Sequence, residues 1–333
     1  MSRELEREVA VRAVLKACRL CRNVQSEHMS RQKVNKTDGS PVTVADFGGQ
    51  ALVSHHLSMA FPADPLMGEE SSDQLLRREN GALKESVIQH VRRIVPELDE
   101  EEILAAIDRG NASGGPSGRF WVLDPVDGTK GFLRGAQYAV ALALVEDGEV
   151  TLGVLGCPNL PLVLDNPGGH PGQGCLFFAA KGEGAFMRPL DEEREQRITV
   201  SLEERPSGAL FAESFESEHS SHKDSARLAK MLGVTREPLR MDGQGKYGLV
   251  ARGEATIYLR VPVGKEYAEN IWDHAAGAVI VEEAGGKVTD LDGLRLDFSR
   301  GKKLEKNRGI LASNGRLHDT VLEALEGLPG QKE

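Results

Sequence analysis

Two aspartates stand three residues apart where an apolar run ends, in the segment WVLDPVDGT at 121–129. The run predicts a buried strand, and Pro125 and Gly128 predict a turn that ends it. The carboxylates of Asp124 and Asp127 repel each other unless a cation lies between them, and oxygen ligands favour a hard cation such as Mg²⁺. Thr129 adds a hydroxyl group at the next position. The motif predicts a magnesium site for phosphate chemistry, although a bare DxxD spacing more often marks an ordinary Asp-rich turn.

Three further acidic residues are candidates for the same chemistry, and each also has a purely structural interpretation. Glu69 lies in an acidic turn, which is usually a solvated loop. Asp273 fits the third position of a helix predicted over 271–283 with Asn270 as its N-cap, where it would complement the helix dipole. Asp46 fits the first turn of another predicted helix in the same way. Taken singly, none of these three residues defines a functional site.

Length and composition bound the class of protein. The chain has 333 residues, is 40% hydrophobic and 28% charged, and carries a formal net charge of −10. No basic patch indicates a nucleic-acid partner, and no apolar run approaches the ~20 residues of a membrane span. The N-terminus resembles neither a signal nor a transit peptide, and four cysteines do not make a disulfide scaffold. We therefore expect a soluble cytoplasmic protein with one large domain or two domains.

Apolar periodicity predicts helices and strands that alternate along the chain. Residues 4–31 form an amphipathic stripe on which Cys18 and Cys21 read as buried small hydrophobes rather than as a metal or redox pair. Further elements are a helix from 43 to 59, a helical segment around 83–95, an acidic helix after Pro96, and hairpins at 138–155 and 176–187. The charged segment 191–197 is the best candidate boundary. It divides an N-terminal α+β domain with an antiparallel sheet (1–196) from a C-terminal α/β domain (197–333).

Three motifs together make the chain resemble the inositol monophosphatase superfamily of lithium-sensitive, magnesium-dependent phosphatases. They are GEE at 68–70, DPVDGT at 124–129 and WDHAAG at 272–277. Four further segments resemble the bisphosphate nucleotidase branch: SPVTVAD at 40–46, KGFLR at 130–134, HSSH at 219–222 and YLR at 258–260. The resemblance spans nearly the whole chain. It implies a two-domain layered αβαβα sandwich whose site lies between the domains.

The resemblance also implies which residues hold metal and activate water. Two or three Mg²⁺ ions would be bound by four carboxylates and one backbone carbonyl, from Glu69, Asp124, Asp127, Asp273 and Val126. Asp46 and Thr129 would form the pair that takes a proton from the attacking water, with Asp46 accepting through the Thr129 hydroxyl.

The substrate contacts implied by the resemblance are Thr129, His219, Gly243, Lys246, Arg260 and Asp273. Gly243 departs from the family, which usually has Ser before Gln at this point, and the missing hydroxyl removes one possible hydrogen bond to the substrate. Lys246 and Arg260 would hold the phosphate that is not cleaved, since an Arg fork suits a phosphate.

The implied reaction converts adenosine 3′,5′-bisphosphate and water to AMP and phosphate, with 3′-phosphoadenylyl sulfate as a second substrate. Its role would be to clear a by-product of sulfate assimilation, and Li⁺ or Na⁺ would inhibit it. We expect a monomer whose partner is the nucleotide alone. Two alternatives stay open: a phosphatase of inositol (poly)phosphates with the same metal set, and a non-catalytic protein that senses the nucleotide.

Overall fold

The computed structural model describes residues 3–28, 44–164, 173–217, 220–262 and 268–327. Residues 40–43 of the SPVTVAD motif and the predicted nucleotide contact His219 lie outside these ranges. The α-helices are α1 (Glu4–His28), α2 (Val44–Ala60), α3 (Gly81–Arg92), α4 (Glu100–Asp108), α5 (Thr129–Leu133), α6 (His222–Met231), α7 (Gly245–Ala251), α8 (Ala275–Glu283) and α9 (His318–Glu326). The strands are β1 (Leu66–Gly68), β2 (Arg119–Asp127), β3 (Ala139–Glu146), β4 (Glu149–Cys157), β5 (Cys175–Ala180), β6 (Gly184–Pro189), β7 (Gln196–Ile198), β8 (Phe211–Ser214), β9 (Leu239–Met241), β10 (Ile257–Arg260), β11 (Lys287–Thr289) and β12 (Ile310–Ser313).

The strands form two sheets. The first contains seven strands in the order β1-β2-β3-β4-β5-β6-β7, and all its pairs are antiparallel except the parallel pair of β1 and β2. The second contains five strands in the order β11-β12-β10-β8-β9 and is mixed. The hairpin between β3 and β4 turns at Asp147 and Gly148, which have φ of 49° and 78°. That geometry is what the Asp-Gly pair predicts.

The side chains of β3 show why the molecule is layered. Val140, Leu142 and Leu144 belong to the core shared with α1 and α2, whereas Ala139, Ala141 and Ala143 belong to the core shared with α7 and α8. The second sheet closes this inner core on one face and packs α6 and α9 on the other. The order of layers is therefore helices, sheet, helices, sheet, helices, and the predicted αβαβα sandwich is confirmed.

Small residues on the inner face of the first sheet let α8 lie close to the strands. A Cβ atom at Gly153 would lie 2.6 Å from the carbonyl oxygen of Ala276, too close for a side chain. This approach brings the segment that precedes α8, including Asp273, towards the end of β2. Packing of small residues thus joins two motifs that are about 150 residues apart in the sequence.

The predicted boundary between 196 and 197 falls inside a strand. Ile198 of β7 pairs with Ala185 of β6, so the first sheet continues into the segment assigned to the second domain. Helix α8, from the second half of the chain, packs on β3 to β6 of the first sheet. The division into 1–196 and 197–333 stays a prediction.

Helix α1 confirms the interpretation of its cysteines. Cys18 and Cys21 are buried free thiols in the core. Burial raises the pKa of Cys18 to about 12, so its thiol stays protonated and packs as a small apolar side chain. The helix is long but carries charged residues along its outer face. None of the helices in the described ranges is both long and apolar enough to cross a bilayer.

Candidate active site

A cavity of about 260 Å³ brings together residues from all three motifs. The predicted site residues that line it are Glu69, Asp124, Val126, Asp127, Thr129, Gly243, Lys246, Arg260 and Asp273. Asp46 does not line the cavity, and His219 lies outside the described residues. Residues from both sheets and from the helical layer between them therefore meet at one place, as sequence motifs alone could not show.

The two aspartates of the DPVDGT motif lie at the end of β2 and not on a tight turn as predicted. The strand continues through Asp127, and its pairing with β3 slips between Asp124 and Asp127. Pro125 has no N–H to donate to the sheet, which favours an irregularity at this point. The chain turns at Gly128, whose φ of 93° is accessible mainly to glycine. The bulge, rather than a turn, separates the two carboxylates.

Hydrogen bonds hold the backbone of this bulge. An Oδ1 atom of Asp124 accepts from the N–H of Val126 at 3.0 Å. The hydroxyl of Thr129 donates to the carbonyl oxygen of Val126 at 3.2 Å. The Val126 carbonyl, predicted to be a metal ligand, therefore lies beside the hydroxyl that is predicted to orient water.

Glu69 reaches the bulge because β1 runs parallel to β2. Gly68 is the last residue of β1 and pairs with Leu123, so the residues that follow these two, Glu69 and Asp124, come side by side. Partial loss of solvation inside the cavity raises the pKa of Glu69 well above its ordinary value, and the negative charge of Asp273 raises it further. Solvent in the cavity still reaches this side chain.

Asp273 arrives from a different element than predicted. A 3-10 turn spans Ile271–Asp273, and α8 begins only at Ala275, because His274 adopts φ −136° between them. The predicted helix is confirmed over 275–283, whereas its start at 271 is wrong, and Asn270 makes no side-chain cap hydrogen bond. The 3-10 turn directs Asp273 into the cavity instead of placing it in the first turn of the helix.

The four carboxylates repel one another strongly. Burial, followed by the charges of Glu69 and Asp127, raises the pKa of Asp124 well above its ordinary value. Burial raises the pKa of Asp273 to about 7, and the charge of Asp127 adds to the effect. Neighbouring acids that resist ionisation are stabilised when a cation lies among them. The donors around the cavity floor are all oxygen atoms, so this set fits a hard divalent cation such as Mg²⁺.

Asp46 lies behind this cluster, in the first turn of α2. Its side chain is buried, and its charge contributes to the raised pKa of both Glu69 and Asp124. The residue is therefore close enough to the acidic cluster for electrostatic coupling. Its pairing with Thr129 stays a prediction.

The opposite wall of the cavity is cationic. Lys246 is buried, and its Nζ atom donates to the carbonyl oxygens of Gly243 at 2.7 Å and Met241 at 3.2 Å. Burial lowers the pKa of Lys246 to about 8, against the opposing charge of Asp127. Arg260 lies 4.0 Å from the carboxylate of Asp273, so the positive wall adjoins the acidic floor.

Sequence reasoning missed a buried network behind Arg260. Glu269 accepts from the Arg260 guanidinium at 2.7 Å, and His274 lies between Glu269 at 3.4 Å and the hydroxyl of Tyr247 at 2.8 Å. Glu269, Asp273 and His274 lie close enough to share a metal ion. Arg260 already neutralises Glu269, and His274 contacts both neighbours, so we interpret the group as support for Arg260. No local pattern marks Glu269, since its partners come from other elements.

A second missed residue is Arg134, which tethers one rim of the cavity. Its guanidinium donates to Asp242 at 2.6 Å and to Glu216 at 2.5 Å, and it lies 4.5 Å from the centre of the Phe215 ring. The KGFLR segment at 130–134 contained this residue, but its spacing gives no indication of a partner about 100 residues away. Arg134 links α5 to the loop before α7 that carries Gly243.

The structure explains why position 243 holds a glycine, which the sequence did not show. Its φ is 70°, and a Cβ atom there would lie 2.4 Å from the carbonyl oxygen of Asp127. A Cβ at Gly128 would in turn lie 2.9 Å from the Gly243 nitrogen. The two turns thus touch backbone to backbone, and the space that a serine would need is already filled.

Comparison with known proteins decides the family. The model of the inositol monophosphatase family matches residues 3–329. This chain belongs to that family.

Curated relatives of this inositol monophosphatase family member cover almost the whole chain. A 3′(2′),5′-bisphosphate nucleotidase from Emericella nidulans is 44% identical over 98% of this chain and 99% of its own length. One from Oryza sativa is 46% identical over 96% of this chain and 93% of its own.

Two solved structures share the fold. The extragenic suppressor protein suhB from Bartonella henselae has a TM-score of 0.65 at 24% identity, covering 97% of this chain and 98% of its own. An IMPase from Thermotoga maritima has a TM-score of 0.65 at 22% identity, covering 97% of each chain.

Proposed function

We propose that this family member is a magnesium-dependent 3′(2′),5′-bisphosphate nucleotidase. It would hydrolyse the 3′-phosphate of adenosine 3′,5′-bisphosphate to give AMP and phosphate, and it would act on 3′-phosphoadenylyl sulfate as well. The observation that carries the proposal is one cavity with an acidic floor and a cationic wall made by Lys246 and Arg260. A substrate with two phosphates can place one over the acidic floor and the other against the cationic wall. The relatives described above are named as 3′(2′),5′-bisphosphate nucleotidases.

The acidic floor would hold two or three Mg²⁺ ions through Glu69, Asp124, Asp127, Asp273 and the carbonyl of Val126. When bound, Mg²⁺ lowers the pKa of the attacking water and offsets negative charge on the phosphoryl oxygens. Such charge stabilisation is needed because phosphate monoesters hydrolyse extremely slowly unaided.

Asp46 and Thr129 would deprotonate the attacking water. The carboxylate of Asp46 would accept a proton that the Thr129 hydroxyl relays, which requires this hydroxyl to release the hydrogen bond that it donates to the Val126 carbonyl. One proton of the water would go to Asp46 as the water oxygen bonds to phosphorus, and the 3′-oxygen would leave with the electrons of the broken P–O bond and take a proton from solvent to give the 3′-hydroxyl of AMP. No covalent phospho-enzyme is required.

Lys246 and Arg260 would hold the 5′-phosphate, together with His219. Both described cations are held in place before substrate arrives: Lys246 by two backbone carbonyls and Arg260 by Glu269. Thr129, Gly243 and Asp273 would complete the contacts to the substrate. Preorganised donors lose less entropy on binding a phosphate than flexible ones.

Phosphate release from adenosine 3′,5′-bisphosphate, its 2′,5′ isomer and inositol bisphosphates tests the proposal, with Mg²⁺ or EDTA and with or without Li⁺. We expect both nucleotides to be cleaved with Mg²⁺, inhibition by Li⁺, and no release with EDTA. Binding of the nucleotide without release under any condition would indicate a sensor instead.

Variants separate nucleotide from inositol phosphate substrates. We expect Lys246→Ala and Arg260→Ala to raise KM for the bisphosphate at least tenfold. Arg240→Ala is the matched control, because Arg240 pairs with another buried glutamate, Glu213, outside this cavity. Unchanged nucleotide hydrolysis in both site variants, with faster turnover of inositol phosphates, would identify an inositol (poly)phosphate phosphatase.

We further propose a cytoplasmic monomer that clears the nucleotide by-product of sulfate assimilation. The low cysteine content, four in a chain of 333 residues, favours a reducing compartment. Fractionation of the cells that make the protein, together with sedimentation velocity, tests location and assembly. Recovery outside the cytoplasm, or a dimer at micromolar concentration, would contradict the proposal.

A further inference from the structure

Gln50 is a buried amide on α2, one helical turn after Asp46, and its side chain has an exposed fraction of 0%. Its Nε2 atom donates to the carbonyl oxygens of Glu70 at 2.6 Å and Ile107 at 2.7 Å. Its Oε1 atom accepts from the N–H of Glu70 at 3.0 Å. The side chain thus fixes both backbone groups of the residue that follows Glu69, and it ties them to the end of α4.

Two glycines leave the space that this amide fills. A Cβ atom at Gly68 would lie 2.4 Å from Oε1 of Gln50, and one at Gly110 would lie 2.4 Å from Nε2. The N–H of Gly68 also donates to the carbonyl of Gly110 at 2.8 Å. The backbone on both sides of Glu69 is therefore packed against one helix, the same helix that carries Asp46.

Gln244 makes the equivalent contacts around Asp273. Its side chain is 2% exposed, its Nε2 atom donates to the carbonyl of Trp272 at 2.8 Å, and its Oε1 atom accepts from the N–H of Gly277 at 3.1 Å. These two contacts lie on either side of Asp273, one within the 3-10 turn and one in the first turn of α8. A single amide thus spans the segment in which Asp273 lies.

Both carboxylates need such support because regular structure does not hold them. Strand β1 ends at Gly68, one residue before Glu69, and Asp273 closes a 3-10 turn of three residues. By contrast, Asp124 and Asp127 each pair with a residue of β3, Asp124 with Ala141 and Asp127 with Ala139. A metal ligand on a short irregular segment keeps its geometry only if neighbouring groups orient its backbone.

We propose that Gln50 and Gln244 are positioning residues that set the metal affinity of the site by fixing the backbone beside Glu69 and Asp273. The inference rests on the proposed function, because it takes these two carboxylates to be Mg²⁺ ligands. Gln244 lines the cavity and Gln50 does not, and the proposed role requires neither amide to contact the reacting atoms. Groups that orient metal ligands typically change metal affinity by about 10- to 100-fold when they are lost.

The test compares Gln50→Met and Gln244→Met, which keep the length of the side chain but remove its hydrogen bonds. The matched control is Asn314→Leu. Asn314 is another amide with 2% exposure, it makes three backbone hydrogen bonds of 2.7 to 3.1 Å, and it does not line the cavity. Calorimetric titration of Mg²⁺ into substrate-free protein gives the affinity without turnover, and thermal unfolding without Mg²⁺ gives the stability of each variant.

We expect Gln50→Met and Gln244→Met to lower the Mg²⁺ affinity at least about 10-fold. Asn314→Leu should lose a comparable amount of thermal stability and keep its Mg²⁺ affinity within about twofold of wild type. If Gln50→Met does not fold, Gly110→Ala displaces the same amide from the opposite side. Two results would overturn this inference and leave the proposed function standing. One is wild-type Mg²⁺ affinity in Gln244→Met together with wild-type affinity in Gln50→Met, or in Gly110→Ala where that variant replaces it. The other is a loss of Mg²⁺ affinity in Asn314→Leu as large as the loss in the site variants. Wild-type protein that binds no Mg²⁺ would overturn the proposed function as well.

Discussion

Replacing Gly243 with serine restores the residue that the family usually has, and the structure predicts that it impairs this enzyme. From sequence alone, the added hydroxyl would provide a further hydrogen bond to the substrate. In the structure, a Cβ atom at this position would lie 2.4 Å from the carbonyl oxygen of Asp127, whereas ordinary contacts begin near 3.4 Å. The backbone of Asp127 or of Gly243 must therefore move by about 1.0 Å, the difference between these two distances.

Two costs follow from this displacement. A non-glycine residue with φ of 70° costs about 1–2 kcal/mol, and relief of a close contact in a packed interior costs about 1–3 kcal/mol more. Displacement of a catalytic group by about 1 Å can lower the rate about 10²-fold. We expect Gly243→Ser to lose about 2–5 kcal/mol of unfolding free energy and to lower kcat/KM for the bisphosphate about 100-fold.

Gly182→Ser separates the two costs. Gly182 has φ of 82°, but no atom lies within 4 Å of a Cβ placed there, so this control carries only the backbone strain. Urea unfolding gives the free energies, and phosphate release at varied Mg²⁺ gives the kinetics. Gly182→Ser is expected to lose about 1–2 kcal/mol with normal turnover. If Gly243→Ser equals or exceeds wild-type turnover, the close contact with Asp127 does not constrain the site and the reasoning is refuted.

Three other predictions concern acid–base and charge roles. Asp46→Ala should lower kcat about 10²- to 10⁴-fold, and near-normal turnover would remove Asp46 from the mechanism. The pKa of Lys246, lowered to about 8, predicts that kcat/KM falls as pH rises through 8, because the neutral amine binds phosphate less well. Lys246→Arg should abolish this alkaline fall, and an unchanged profile would assign it to another group. Glu269→Gln removes the nearer of the two carboxylates beside the Arg260 guanidinium, at 2.7 Å against 4.0 Å for Asp273, and should cost about 3–5 kcal/mol in urea unfolding. Glu213→Gln, whose arginine partner is about half exposed, should cost less, and equal losses would contradict the argument.

Much of the fold was predictable from local patterns. The apolar run before Asp124, the amphipathic stripe of α1 and the Asp147-Gly148 hairpin each encode their structure within a few residues, through side-chain alternation or backbone preference. The prediction failed where tertiary contacts override local preference. The helix predicted from 271 begins only after His274, whose ring bonds to Glu269 and to Tyr247, and neither contact is visible in a periodic pattern.

The candidate site was only partly predictable, because some of its residues depend on contacts between distant elements. The family resemblance named the acids and cations that line the cavity, but it assigned no role to Glu269 or Arg134. Their partners lie in other elements, so only the packed structure reveals them. The amide of Gln50 is a similar case, since a glutamine within a helix carries no sequence signal of what it binds.

The family resemblance indicated Lys246 and Arg260 as cations for a second phosphate, and the sequence by itself predicted the rest of the proposed chemistry: oxygen ligands for a hard cation and a hydroxyl beside them. Those properties belong to residue types and short spacings, which survive in a linear chain. The tertiary structure alone decided how Glu69, the β2 bulge and Asp273 meet, because parallel pairing of β1 with β2 and the close approach of α8 act over long separations. It also decided that Gly243 has no room for a side chain, since that limit is set by the Asp127 carbonyl of another layer.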